Sequence, residues 1–214
     1  LAVSPSPAGV ETTHTGAIDG KLLTCPDDCI SGLVDLIDSS EDTVDLSLQY
    51  FQDGWGWGYG DNPLIAALER ATLERNVTIR LLLNGYYTDD PFDDRDMLNL
   101  VNNDWNRTLG ADATAILMSQ GGDVTKLHNK GIIIDGESVL ISSINWGSNS
   151  ALRNREMGIV INEVTIAGAY LASFEEDWNR LDDITDTDGD GMIDKYEMKW
   201  GLNRTSTIVD GSPL

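Results

Sequence analysis

No run in this chain is long or apolar enough to form a membrane-spanning helix, which takes about 20 consecutive apolar residues. Basic residues are also scarce: 14 Lys and Arg stand against 36 Asp and Glu, a formal charge of -22 over 214 residues. Asp alone fills 26 positions and Lys only 5. Such a surface repels polyanions at long range, which works against a duplex-DNA binder and fits the solvated acidic coat of salt-adapted or calcium-rich settings. The only cysteines are Cys25 and Cys29, in Cys-Pro-Asp-Asp-Cys, and the lack of a second Cys/His cluster beside them speaks against zinc as their purpose. A pair this close can bridge if the chain enters a helix there, so a local disulfide and an oxidising compartment are favoured over free thiols.

The length suffices for one sizeable α/β domain and a small appendage. Residues 1–19, rich in Pro, Ser, Thr and Gly, read as a linker or N-terminal arm. Residues 20–182 alternate strand and helix patterns. Strands are expected over 21–24, 43–51, 77–83 and 113–118, and helices from Pro26-Asp27-Asp28 to Ile37, over 63–75 and over 95–109. A closing helix over 164–181 carries Ala167, Tyr170, Leu171, Phe174 and Trp178 on one stripe. Between the second strand and its helix lies a glycine-spaced aromatic loop with Trp55, Trp57 and Tyr59. It either walls a cleft beyond the strand ends, or folds back to cover the sheet end or form an oligomer contact. Asn76, Asn106 and Asn203 stand in Asn-x-Thr sequons, which fits export.

The polar residues of 127–145 cannot be explained by packing. Ile132 to Ile134 and Val139 to Ile141 are apolar runs joined by Asp135-Gly136-Glu137, the pattern of two buried strands and a tight turn. Alternation puts His128 and Lys130 on one face with Ile132 and Ile134, and Ser143 shares a face with Asn145. An imidazole, an ammonium, a hydroxyl and an amide gathered in this way can hold a tetrahedral oxyanion.

His128-x-Lys130-x4-Asp135, followed by Ser142-Ser143-Ile144-Asn145 and by Glu156 in Asn-Arg-Glu-Met-Gly, resembles the phospholipase D superfamily over roughly residues 21–181. Ser142 stands where that family usually has glycine. The resemblance implies a phospholipase D-like mixed β-sheet flanked by helices and a phosphodiesterase that works without a catalytic metal, one histidine attacking phosphorus while a second protonates the leaving oxygen. The catalytic candidates are therefore His128, Lys130, Asp135, Ser143, Asn145 and Glu156. Lys130, Ser143 and Asn145 are suited to neutralising the anionic phosphoryl oxygens, and Glu156 to holding the other ring nitrogen of His128. Asp135, on the opposite parity, is better placed to brace the turn. Lys126, Arg153 and Arg155 flank the motif and either form a positive funnel or neutralise nearby carboxylates. His14 has no lysine two residues on and reads as a solvent-exposed histidine.

Residues 183–214 change character. Asp186, Asp188, Asp190, the carbonyl of Met192, Asp194 and Glu197 fall in the register of a calcium loop, with Gly191 at the sharp turn. They resemble the single calcium repeats of secreted and surface proteins, of thrombospondin type-3 or dockerin kind, and imply one structural Ca2+. The chain starts without Met or a signal-like stretch and stops just past this loop, so it reads as a processed or excised segment, secreted or on the cell surface.

One chain carries one such motif, whereas the family's chemistry uses two histidines. Either two copies pair motif to motif as a homodimer, or the chain is one half of a tandem enzyme. The substrate expected is a phosphodiester, of a phospholipid or a nucleic acid. The alternative is a calcium-stabilised surface or adhesion module that keeps the fold without catalysis.

Overall fold

The computed structural model describes residues 17–55, 61–84, 94–118, 126–179, 186–189, 194, 197 and 203–205. His14, Trp57, Tyr59, Asp190 and Met192 lie outside the described residues.

Among the described residues seven strands form one mixed sheet: β1 (Asp19–Thr24), β2 (Thr43–Leu48), β3 (Thr78–Asn84), β4 (Ala113–Met118), β5 (Lys130–Ile134), β6 (Ser138–Ser142) and β7 (Met157–Asn162), in the order β1-β7-β6-β5-β2-β3-β4. β2, β3 and β4 run parallel, and every other pairing is antiparallel. The β5–β6 hairpin therefore sits in the middle of the sheet, between the parallel half and β7. Its turn has Asp135 at φ 54 and Gly136 at φ 66, closed by Glu137 N–H donating to the Ile134 carbonyl at 2.9 Å. Two successive positive φ values are the signature of a type I′ turn, for which Asp-Gly is a preferred sequence.

Helices cover both faces. Alternation along β5 sends Ile132 and Ile134 into the larger core with Leu46, Leu48 and Leu140, beneath α1 (Cys29–Asp38) and α2 (Pro63–Glu69). Ile133 points the other way, with Val139, Ile161, Ala167 and Phe174, beneath α5 (Val164–Trp178). The apolar stripe expected on the closing helix is the face it buries. α5 is further held by Arg80, which bridges buried Asp45 on β2 at 2.6 Å and Glu175 at 2.7 Å and lies over the rings of Phe174 and Trp178.

The helices expected over 63–75 and 95–109 each begin as α-helix and widen into π-helical turns. α2 continues through Arg70–Glu74, and α3 (Arg95–Leu98) through Asn99–Thr108. The second widened stretch faces edge strand β4. Asn102 exchanges two hydrogen bonds with the Ala115 backbone, at 2.9 and 2.8 Å, and Asn106 donates to the Ala113 carbonyl at 2.7 Å. These amides cover backbone groups that would otherwise offer an edge for pairing.

At the opposite edge Cys25 and Cys29 form the disulfide, with Cα atoms 5.0 Å apart, tying the end of β1 to the start of α1. Among the described residues no helix is long and apolar enough to cross a membrane.

Candidate active site

The carboxyl ends of β2, β3 and β4 and the amino end of β5 meet at one edge of the sheet, the place where open α/β sheets form ligand clefts. His128 and Lys130 stand at this edge because β5 begins at Lys130. Leu127, just before, is buried, and its N–H donates to the Asn84 side chain at 3.2 Å. The ladder between β2 and β5 is prolonged by Gln49 N–H donating to the Asn129 carbonyl at 3.0 Å. The backbone on both sides of His128 is thus fixed while its imidazole is exposed.

Lys130 is the reverse: a buried cation with 7 % of its surface exposed. Its ammonium donates to the His128 carbonyl at 2.7 Å and to the Gln49 Oε1 at 2.6 Å, and it lies 3.2 Å from His128 Nδ1. Burial and then the neighbouring charge of Lys126 pull the Lys130 pKa down to about 8, although Glu156 works the other way. The His128 pKa is lowered by desolvation and by the charges of Lys130 and Lys126, which favours the uncharged ring. An ammonium facing Nδ1 favours a lone pair there, and hence the tautomer with its proton on Nε2.

Glu156 takes a position that the sequence reading did not give it. Its carboxylate accepts hydrogen bonds from the Ser143 hydroxyl, from Ser150 at 3.1 Å and from Asn154 at 3.1 Å, while His128 Nδ1 faces Lys130. Those hydrogen bonds outweigh desolvation and hold the Glu156 carboxyl below its ordinary range. The reason is local. The chain turns into β7 soon after α4 (Ser148–Leu152), which sets Ser150 and Asn154 beside the Glu156 carboxylate.

Ser143 also accepts from Met157 N–H at 3.3 Å, so its hydroxyl serves to anchor Glu156. Asn145 is half-buried, with Oδ1 out of contact with water and no hydrogen-bond partner among the described residues. Next to it, Trp146 packs edge-on against Phe51 with centroids 4.9 Å apart, and Gln52 holds the loop by donating to the Trp146 carbonyl at 3.1 Å and accepting from Ser148 N–H at 3.0 Å. Ser142, in the usual glycine place, donates to the Lys130 carbonyl at 2.6 Å and accepts from Ile144 N–H at 3.3 Å. Its hydroxyl stitches the two motif strands together where glycine would leave them to the ladder alone. Trp55, at the start of the aromatic loop, is buried against the larger core. Of the flanking cations, Arg155 pairs with Asp27.

Asp135 stands apart from this group, at the far end of β5. Its carboxylate accepts from the backbone N–H groups of Glu41, Asp42 and Thr43 at 2.9, 2.8 and 2.7 Å, which fixes the entry into β2. The structure thus places it as a brace, outside the set gathered around His128.

In the tail, Thr187 donates to both Asp194 oxygens at 2.8 Å, Gly189 N–H donates to Asp186 at 2.6 Å, and Glu197 is fully buried. Asp186, Asp188, Asp194 and Glu197 are hard oxygen donors of the kind calcium selects. Among the described residues no group of three or more His, Cys, Asp or Glu side chains is arranged to hold a metal ion. Arg107 joins this loop to the domain, donating to the Asp188 carbonyl at 2.9 Å and to the Gly189 carbonyl.

Comparison with known proteins converges on one superfamily. A family model described as "Cardiolipin synthase, PLD-like domain" matches residues 33–178. Two curated relatives, the mitochondrial cardiolipin hydrolases of Xenopus laevis and Xenopus tropicalis, are 32% identical over 59 residues and 34% identical over 56. These matches cover 28% and 26% of this chain and only 28% and 27% of the relatives. Among solved structures, Nuc of Salmonella typhimurium, a phospholipase D family member, superposes with a TM-score of 0.60 at 18% identity, covering 76% of this chain and 95% of that one. NucT of Helicobacter pylori gives 0.59 at 13% identity, covering 76% and 96%. At these identities the likeness is one of fold.

Proposed function

The chain belongs to the PLD-like domain family of cardiolipin synthase type, and from that premise we propose that it is a phosphodiesterase whose nucleophile and acid are the His128 side chains of two motifs. The observation that carries this is His128 itself, an exposed imidazole clamped from behind by a buried ammonium. In the proposed reaction one imidazole nitrogen attacks phosphorus, forming an N–P bond as the P–O bond to the leaving alcohol breaks. A second imidazolium gives its proton to that oxygen. Water then attacks the phosphohistidine, restoring the imidazole and releasing the phosphomonoester. Lys130 and Asn145 offset the charge on the non-bridging oxygens.

A single copy is ill suited to the first step. Its Nδ1 faces an ammonium, so the tautomer it favours carries a proton on the very nitrogen that would attack, and its own Glu156 is engaged elsewhere. A second motif answers both needs, as acid and as acceptor on the Nδ1 side. A homodimer is the arrangement we propose. It is supported by an apolar patch of Leu22, Ile141, Met157 and Ile159, 43 to 59 % exposed, on the adjacent strands β1, β6 and β7 beside Ser143 and Glu156.

The enzyme is further proposed to act outside the cytoplasm, which the Cys25–Cys29 disulfide supports, and to carry one structural Ca2+ in its tail, held by Asp186, Asp188, Asp190, Met192, Asp194 and Glu197. The test is hydrolysis of an aryl phosphodiester by the purified chain with its mass measured in solution. Activity should appear only where the chain is dimeric, and mixing His128→Ala chains into wild type should lower activity by more than dilution. An active monomer would refute the two-motif site.

A further inference from the structure

Among the charged groups at the site, Lys130 is the one whose surroundings are least explained by the motif, since among the described residues no carboxylate hydrogen-bonds its buried ammonium. The acceptor it has instead comes from outside the motif. Gln49 is the first residue past β2, 6 % exposed, with its backbone locked into the ladder against Asn129 and its Oε1 on the Lys130 ammonium at 2.6 Å. The ammonium's other two contacts among the described residues, the carbonyl and Nδ1 of His128, belong to the residue that Lys130 itself supports. Gln49 is therefore the outer anchor of a chain running from β2 through Lys130 to the imidazole.

We propose that Gln49 is a positioning residue that aims the Lys130 ammonium and, through it, the His128 ring, and that its being an amide keeps the cation's charge available to an anionic substrate. An ammonium has three N–H donors, and burial makes each unmet donor costly. An amide carbonyl meets one of them without cancelling the charge. A carboxylate at the same place would form an ion pair, raise the lysine pKa and spend its attraction on the protein. An apolar side chain would leave the donor unmet and favour loss of the proton. The other charged groups that act on Lys130 are Lys126, which disfavours its charge, and Glu156, which favours it, with His128 alongside. This inference rests on the proposed phosphodiesterase site for its purpose, but its physical content stands apart from turnover.

The test is the titration of Lys130 followed by NMR in the full chain labelled at its lysine ε-carbons. With only five lysines the signal can be assigned through Lys130→Arg. In wild type it should titrate near its depressed value. In Gln49→Leu the midpoint should fall by about one pH unit, and in Gln49→Glu it should rise by about one. The melting temperature of each variant is measured beside it, and if Gln49→Leu fails to fold, Gln49→Glu decides alone. Midpoints unchanged in a folded variant would overturn the proposal. Midpoints that move in a chain with no activity on any phosphodiester would uphold it and overturn the phosphodiesterase reading instead.

Discussion

The two ends of β5 carry residues of one motif and do opposite work. At the amino end a cation is buried with, among the described residues, no carboxylate bonded to it, next to an imidazole left in solvent. At the carboxyl end, about 17 Å away at ~3.4 Å per residue, the Asp135 carboxylate is met by three backbone amides and has no share in the site. The first end concentrates unfavourable interactions, as sites that bind anions and shift pKa values must. The second removes them: amides at the start of β2 receive an acceptor and the chain enters the sheet in register. A motif that spells His-x-Lys-x4-Asp is thus half chemistry and half folding, with a five-residue strand between them.

The largest expected effect separates the two ends. His128→Ala should cut phosphodiester turnover about a thousandfold or more, because nucleophile and acid are lost together from a symmetric pair. It should leave the unfolding free energy nearly unchanged, as the ring is exposed. Turnover within tenfold of wild type would remove His128 from the site. Asp135→Ala should do the converse. Three amides lose a charge-assisted acceptor, and with water able to replace part of it the cost is about 2 kcal/mol, some thirtyfold in the folding equilibrium. Denaturant unfolding measures that loss, and turnover per folded molecule at low temperature should persist. An Asp135→Ala variant of full stability and no activity would invert the comparison.

A smaller effect sharpens the chemical end. Lys130 carries its charge below its pKa of about 8 and loses it above. A phosphonate diester stays anionic throughout that range, so its competitive inhibition should weaken by about tenfold as pH rises through this midpoint. Lys130→Arg, whose charge does not titrate there, should flatten the dependence. Inhibition that is flat with pH in wild type would show that Lys130 does not face the substrate.

The sequence disclosed the folding end more fully than the chemical one. Periodicity placed β1 to β6 within a few residues, and β4 over 113–118, because each strand buries alternate side chains in a core that tolerates no slip. The Asp-Gly turn was legible for the same reason, since a positive φ at two successive positions restricts residue choice. What stayed hidden was non-local. Nothing in 43–51 marks Gln49 as the partner of a lysine eighty-one positions later; that pairing exists only because the hairpin inserts beside β2. The engagement of Glu156 was hidden as well: within one copy Ser143, Ser150 and Asn154 bond its carboxylate, an arrangement that depends on how the chain turns from α4 into β7.

The tail offers the weakest perturbation. Arg107 binds its carbonyls at Asp188 and Gly189, so an ordered loop rests on the helical stretch that covers the β4 edge. Calcium bound there would stabilise the folded domain by RT ln(1 + [Ca2+]/Kd), about 2.7 kcal/mol at a hundred times Kd if binding requires the docked loop. Chelation should therefore lower the melting temperature by a few degrees, an effect that Arg107→Ala should reduce and Glu197→Gln should abolish. Turnover at 25 °C should change by less than twofold, because Lys130 and Asn145 supply the offset of phosphoryl charge and no loop residue is assigned a part in it. Complete loss of activity on chelation, in a chain still folded by circular dichroism, would overturn that assignment and put a divalent cation where we have placed the Lys130 ammonium.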